Sequence, residues 1–425
     1  MGAIWRRVGA IIGVCLAVVL IGGSVVVDAP AARADPVRDL QYWLADYGFV
    51  QAWNTTRGAG VKVAIIDTGV DGSVLDLTGA VVGGTDVSGL GTANGQTPVG
   101  DDSLHGTLVA SLLAGRGTGL DTGVLGVAPE VSILTVSVAF GTSDSTVSND
   151  DQIAEGVRWA VDNGADVINM SLTRNTLSWP QSWDDAFLYA FEHDVVVVVA
   201  AGNRGSGTTE VGAPATIPGV LTVAGVDRNK EASFDASSQG ITIAVAAPSE
   251  QLVGVVPGGA YVQWDGTSAA APIVSGLVAL VRAAYPTLDA AGVMNRIIAT
   301  ANPNGHEVPS PIYGNGLIDA AAAVTVFVPE STAQTPTSLL EEWIHLHRRA
   351  ETTPEPSPVP TEAAPVAPTN DPALPARNLA DAWLPNQLTL TYISVPLAVL
   401  IGFGILVTLF GIAATRQFKR IRRTP

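Results

Sequence analysis

Val63-Ala64-Ile65-Ile66-Asp67-Thr68-Gly69-Val70-Asp71 is an apolar run that stops abruptly on a carboxylate. Its apolar residues follow one another instead of alternating with polar ones. That pattern describes a strand buried on both faces, an environment found in parallel sheets covered by helices. Open sheets of this kind bind their ligands just beyond the carboxyl ends of the strands, where Asp67 falls. Similar short β-branched runs occur at 61–66, 131–138, 166–170, 195–200, 220–223 and 241–245. Helical segments are expected between them, near 105–115, 150–163, 182–193, 268–284 and 288–300. The alternation predicts an α/β fold: a doubly wound, mostly parallel sheet with helices on both faces.

Two more polar segments interrupt the apolar pattern. His105-Gly106-Thr107-Leu108-Val109-Ala110 puts an imidazole at the head of a helix, and Gly266-Thr267-Ser268-Ala269-Ala270-Ala271-Pro272 puts a serine at a glycine-led helix start. Taken singly, Asp67 reads as a turn cap, His105 as a satisfied histidine and Ser268 as an N-cap. Taken together, in the order Asp, His, Ser, they are the components of a nucleophilic hydrolytic site.

With Gly126–Pro129 (GVAP), Ile168–Leu172 (INMSL), Ala200–Asn203 (AAGN) and Gly314–Ala320 (GNGLIDA) added, the chain resembles the subtilase family over residues 40–326. The resemblance implies a serine endopeptidase that takes protein or peptide substrates. Ser268 would be its nucleophile, His105 the general base and Asp67 the residue that orients the imidazole. It also implies an oxyanion hole containing the Asn203 side chain. Ser171 and Leu172 would form one wall of the substrate cleft, Ala200 and Gly202 another, and Gly212 its floor. Small residues at these positions suggest an uncharged preference at the residue preceding the scissile bond. Two positions depart from the family pattern: Leu104 stands before the histidine and Thr173 after Ser171-Leu172, both where glycine is common.

No cofactor is expected. Calcium prefers six to eight oxygen ligands, and Asp121 is the only carboxylate in the 117–123 loop, so structural calcium is not supported and no metal site is assigned. The single cysteine, Cys15, excludes an intramolecular disulfide framework. Acidic side chains number 39 against 22 basic ones, and eight of the bases lie in the two terminal segments. An acidic body repels phosphate backbones, which argues against nucleic acid as a partner.

The termini predict location. Arg6 and Arg7, an apolar stretch and Ala32-Arg33-Ala34 read as a signal peptide over 1–34. A short N-terminal arm, 35–60, precedes the catalytic domain at 61–326 and leaves too little chain for a folding prodomain. A Pro-rich linker follows at 327–388, with a short amphipathic helix expected at Ser338–Arg349 ahead of most of its prolines. Residues 389–415 form an uncharged apolar span long enough to cross a bilayer, and 416–425 a basic tail. Basic flanks stay inside, so the expected location is the cell membrane: one span, the catalytic domain extracytoplasmic, the C-terminus cytoplasmic. This organisation resembles the mycosins, membrane-anchored subtilases of type VII secretion systems, although the cysteine pairs usual there are missing. The resemblance implies processing of exported proteins beside a secretion membrane complex. The alternative is a structural subunit whose catalysis is dispensable.

Overall fold

The computed structural model describes residues 36–348, apart from Thr208 and 331–333. The expected signal peptide with Cys15, the later part of the expected linker, the apolar span and the basic tail lie outside the described residues.

Seven strands form one sheet: β1 (Lys62–Asp67), β2 (Val81–Asp86), β3 (Ser132–Ser137), β4 (Val167–Met170), β5 (Val196–Ala200), β6 (Leu221–Val226) and β7 (Ile243–Pro248). Their spatial order is β2-β3-β1-β4-β5-β6-β7, and every pairing is parallel. β4 is fully buried, as is β5, which reads VVVVA. β-Branched side chains suit such a sheet because their restricted rotamers pack well against its pleated faces. From β1 the chain passes to the edge strand β2, comes back inward to β3 between β2 and β1, and then places β4 on the other side of β1. A crevice therefore opens at the carboxyl ends of β1 and β4.

Helices flank the sheet: α4 (His105–Ala114), α5 (Asn149–Asp162), α6 (Gln181–Glu192), α7 (Thr267–Ala284) and α8 (Ala290–Ala299). The α7 helix is the spine of the core. It has the length and apolarity of a membrane span, yet is almost wholly buried against β4, β5, β6, β7 and α4. Three short helical turns, α1 (Pro36–Leu40), α2 (Trp43–Asp46) and α3 (Phe49–Ala52), make the N-terminal arm. Its Trp43 and Phe49 are completely buried in the common core. A last core turn, α9 (Ala320–Thr325), touches α3.

Three expectations need correction. Ile241 is 96% exposed and lies before β7, so that strand begins two residues later than the apolar run suggests. Two strand elements were not anticipated: β2, and an antiparallel hairpin of β8 (Leu252–Val255) and β9 (Tyr261–Trp264). Within the span 327–388 the helix expected at Ser338–Arg349 begins and ends two residues earlier. Pro336–His347 forms α10, which packs on α6. There Trp343 stacks on Trp179 at 4.2 Å, and Arg348 Nε lies 2.7 Å from Asp184 Oδ2.

Candidate active site

Asp67 ends β1 and is buried. His105 opens α4, whose start has no side-chain cap from Leu104. The helix is instead fixed by the Gly106 amide, which donates to Thr68 Oγ1 at 3.0 Å. Glycine is required at 106, because a β-carbon would come within 2.2 Å of the Gly69 carbonyl oxygen. This close approach seats the head of α4 on the end of β1. His105 Nδ1 consequently lies 2.8 Å from Asp67 Oδ1 and 3.0 Å from Oδ2. The Thr68 amide also donates to Asp67 Oδ1, at 2.7 Å, and helps fix the carboxylate.

Burial alone would lower the His105 pKa, but the charge of Asp67 and its hydrogen bond outweigh it. Asp102 adds a further push, and the net result lies above the ordinary 6.5. A neutral imidazole bonded through Nδ1 leaves Nε2 as the basic nitrogen.

Ser268 occupies the first turn of α7, after Gly266. Four residues on, Pro272 has no N–H, so the Ser268 carbonyl lacks its usual helical donor. Ser171, just past β4, supplies the replacement: its Oγ donates to the Ser268 carbonyl at 2.8 Å. In return, the Ser268 hydroxyl donates to the Ser171 carbonyl at 3.1 Å. Behind this pair runs a buried polar chain. Asn169 Nδ2 donates to Ser171 Oγ at 3.0 Å, and Ser275 Oγ donates to Asn169 Oδ1 at 2.8 Å. The structure thus joins Asp67 to His105 and Ser268 to Ser171, with the Ser268 hydroxyl turned to Ser171 and not to His105.

Asn203 follows the 200–202 segment beyond β5. Its Oδ1 accepts from the Thr267 amide at 2.8 Å and from Thr267 Oγ1 at 2.9 Å. Those bonds determine the amide orientation and leave Nδ2 as the donor beside the head of α7. The Gly202 amide donates to the same Thr267 hydroxyl at 3.0 Å. Thr267 therefore links the two segments that carry Asn203 and Ser268.

A cavity of about 460 Å³ adjoins this cluster, lined by Asp67 and His105 and by apolar Phe140, Ile153 and Leu172. Ser171 and Thr173 line it as well, as does an ion pair between Arg174 and Asp150 at 2.8 Å. Thr173 turns its hydroxyl back to the Arg174 carbonyl, at 3.3 Å. Ala200, Gly202 and Gly212 do not line this cavity. Ala200 is buried at the end of β5, and Gly212 packs against the Arg174 carbonyl, where the Arg174 amide donates to Ala213 at 2.7 Å. Sequence reasoning assigned no role to Asn169, Ser275, Thr267 or Thr68. The polar Asn169 inside an apolar strand, and Ser275 seven residues after Ser268 on the same helix face, were the available signals.

A parallel α/β sheet with a carboxylate–imidazole pair at its crevice and a serine at the head of the facing helix defines a serine protease of the subtilisin type. The chain belongs to the subtilase family, whose model matches residues 58–316. Subtilisin DY from Bacillus licheniformis is 41% identical over 63% of this chain and 92% of its own length. Among solved structures, fervidolysin from Fervidobacterium pennivorans, a keratinolytic enzyme, superposes with a TM-score of 0.60 at 30% identity. That match covers 69% of this chain but only 48% of fervidolysin. MycP1 from the ESX-1 type VII secretion system also matches with a TM-score of 0.60 at 30% identity, over 72% of this chain and 90% of that one.

Proposed function

We propose that the chain hydrolyses peptide bonds through Ser268, His105 and Asp67, and that it does so outside the cytoplasmic membrane. The observation that carries the chemistry is the Asp67–His105 contact of 2.8 Å at the crevice. A substrate strand pairing with the 171–172 segment would present an N–H to the Ser171 carbonyl, the group that holds the resting hydroxyl. The Ser268 hydroxyl then turns to His105 Nε2. Its oxygen attacks the scissile carbonyl carbon while Nε2 takes the proton. Asp67 stabilises the imidazolium without taking that proton. Asn203 Nδ2 and the Ser268 amide donate to the oxyanion at the positive end of α7. The same proton passes to the leaving amine, giving an acyl-enzyme. Water, with His105 again as base, releases the acid and restores the hydroxyl.

Sequence and likeness support the setting. The signal-like start and the apolar span at 389–415 support an anchored ectodomain. Similarity to MycP1 of a type VII secretion system supports action on exported proteins beside such an assembly. The test is labelling with a fluorophosphonate probe on whole cells. Wild type should react and Ser268→Ala should not. Silence in both would overturn the catalytic reading in favour of a structural subunit, and labelling confined to the cytosolic fraction would overturn the location.

A further inference from the structure

Next to His105 lies a side chain that the catalytic scheme does not use. The Trp264 ring stands nearly perpendicular to the imidazole, at an interplanar angle of 80° with centroids 5.6 Å apart. Trp264 ends β9, the outer strand of the small hairpin, whose preceding residues Tyr261, Val262 and Gln263 are exposed. Its own indole is drawn inward, and its Nε1 is buried without a hydrogen-bond partner. An unsatisfied buried donor opposes folding, so its retention calls for an explanation.

The packing around it supplies one. Beneath the indole lies Gly254 of β8. A β-carbon there would sit 3.3 Å from Trp264 Nε1, 2.9 Å from Leu108 Cδ2 and 3.0 Å from Ser111 Oγ. Leu108 and Ser111 belong to α4, the helix that begins with His105, and Ser111 Oγ also accepts the Val255 amide at 3.2 Å. The absence of a side chain at 254 therefore lets the indole wedge between the hairpin and the His105 helix. Asp67 holds only one edge of the imidazole, through Nδ1, and a contact at one ring atom leaves the rest of the ring free to tilt about it. A wall beside the ring removes this freedom.

We propose that Trp264 is a positioning residue for the hydrolytic site: wedged over Gly254, it keeps the His105 ring facing Asp67 with Nε2 turned to the serine. The inference rests on the catalytic reading above. The charged groups acting on the ring are Asp67 from β1 and Asp102 from the loop before α4. The titratable group that β9 carries, Tyr261, is bonded elsewhere, to Asp76 at 3.1 Å. A weaker contact with Asp67 lowers the titration of His105 whereas exposure of the ring raises it, so only a downward shift reports loss of that contact.

The test compares Trp264→Leu, Trp264→Phe and Gly254→Ala by peptide hydrolysis, by its pH profile and by the low-field NMR signal of the His105 Nδ1 proton. Trp264→Leu should lower kcat by about ten- to a hundredfold, the scale of a small misplacement of a reacting group, with KM within about twofold. Its low-field signal should broaden and the acid limb of the profile should move to lower pH. Trp264→Phe keeps a flat ring and should retain most of kcat and a sharp signal. Gly254→Ala, with the tryptophan intact, should reproduce the loss in part. Wild-type kcat and an unchanged signal in Trp264→Leu would overturn the proposal. If that variant fails to fold, wild-type behaviour of Gly254→Ala would overturn it. The NMR readout needs no turnover, so it separates this proposal from the protease reading, which falls if Ser268→Ala still hydrolyses peptide.

Discussion

Ser268 and Ser171 exchange hydrogen bonds: each hydroxyl donates to the other's carbonyl, at 3.1 Å from Ser268 and 2.8 Å from Ser171. The exchange exists because Pro272 cannot donate to the Ser268 carbonyl. Ser171→Ala would leave that carbonyl and the Asn169 amide short of partners, at a loss of about 1–3 kcal/mol. Pro272→Ala restores a helical N–H and makes the Ser171 hydroxyl less necessary. A double-mutant cycle read by thermal unfolding should therefore show Ser171→Ala to be less destabilising in the Pro272→Ala background. Strict additivity would contradict the link.

The pH dependence follows from His105. Only the neutral imidazole can take a proton, so kcat/KM rises with pH through the folded-state pKa, which lies above 6.5. The same raised pKa stabilises the fold fully below the unfolded value, and that contribution disappears as pH climbs through the folded one. Asp67→Asn should move the acid limb downward and reduce kcat by about 10⁴, the scale known for this substitution in another serine protease. A wild-type acid limb centred at or below 6.5 would contradict the assignment.

The two ends of the Asn203 side-chain amide can be tested apart, one bonded to Thr267 and the other the proposed oxyanion donor. Its Oδ1 serves Thr267 and its Nδ2 is free for substrate. Asn203→Asp keeps the acceptor and deletes the donor, so kcat should fall by about 10²–10³ while the melting temperature moves little. That magnitude is the loss already established for the oxyanion-hole asparagine of subtilisin itself. A parallel loss of stability and kcat would instead assign Asn203 a structural role.

Arg348 clamps α10. Its guanidinium reaches Asp184 at 2.7 Å and the Trp179 carbonyl at 3.0 Å, and both members of the ion pair are largely buried. Arg348→Ala strands the Asp184 carboxylate and should destabilise the domain by about 3–5 kcal/mol. Limited proteolysis should then cut within Pro336–His347, a segment protected in the wild type.

The Asp67–His105 pair and the place of Ser268 at a helix head were legible because each residue interrupts an apolar element with a polar group, in an order shared with a known family. The sheet was legible wherever strands are buried on both faces. β2 was not, because Gly83-Gly84 within VVGGTD reads as a turn. In the folded chain Gly84 lies against Thr135 and the Asn94 carbonyl, where a side chain would collide, so close packing requires glycine at 84. The β8–β9 hairpin and the docking of α10 escaped for a different reason. Trp264 and Trp343 take their meaning from partners remote in sequence: Arg348 meets Asp184 across 164 residues, and no local pattern announces such a contact.

The helix that carries Ser268 in its first turn is also largely enclosed within the body. A catalytic serine on a surface loop can lose its alignment while the scaffold persists. Here the hydroxyl is anchored to the beam that supports the whole house, so it has little freedom to slacken by itself. Loss of turnover on heating and collapse of the core should be a single event, and the temperature at which activity disappears should coincide with the midpoint of a calorimetric scan.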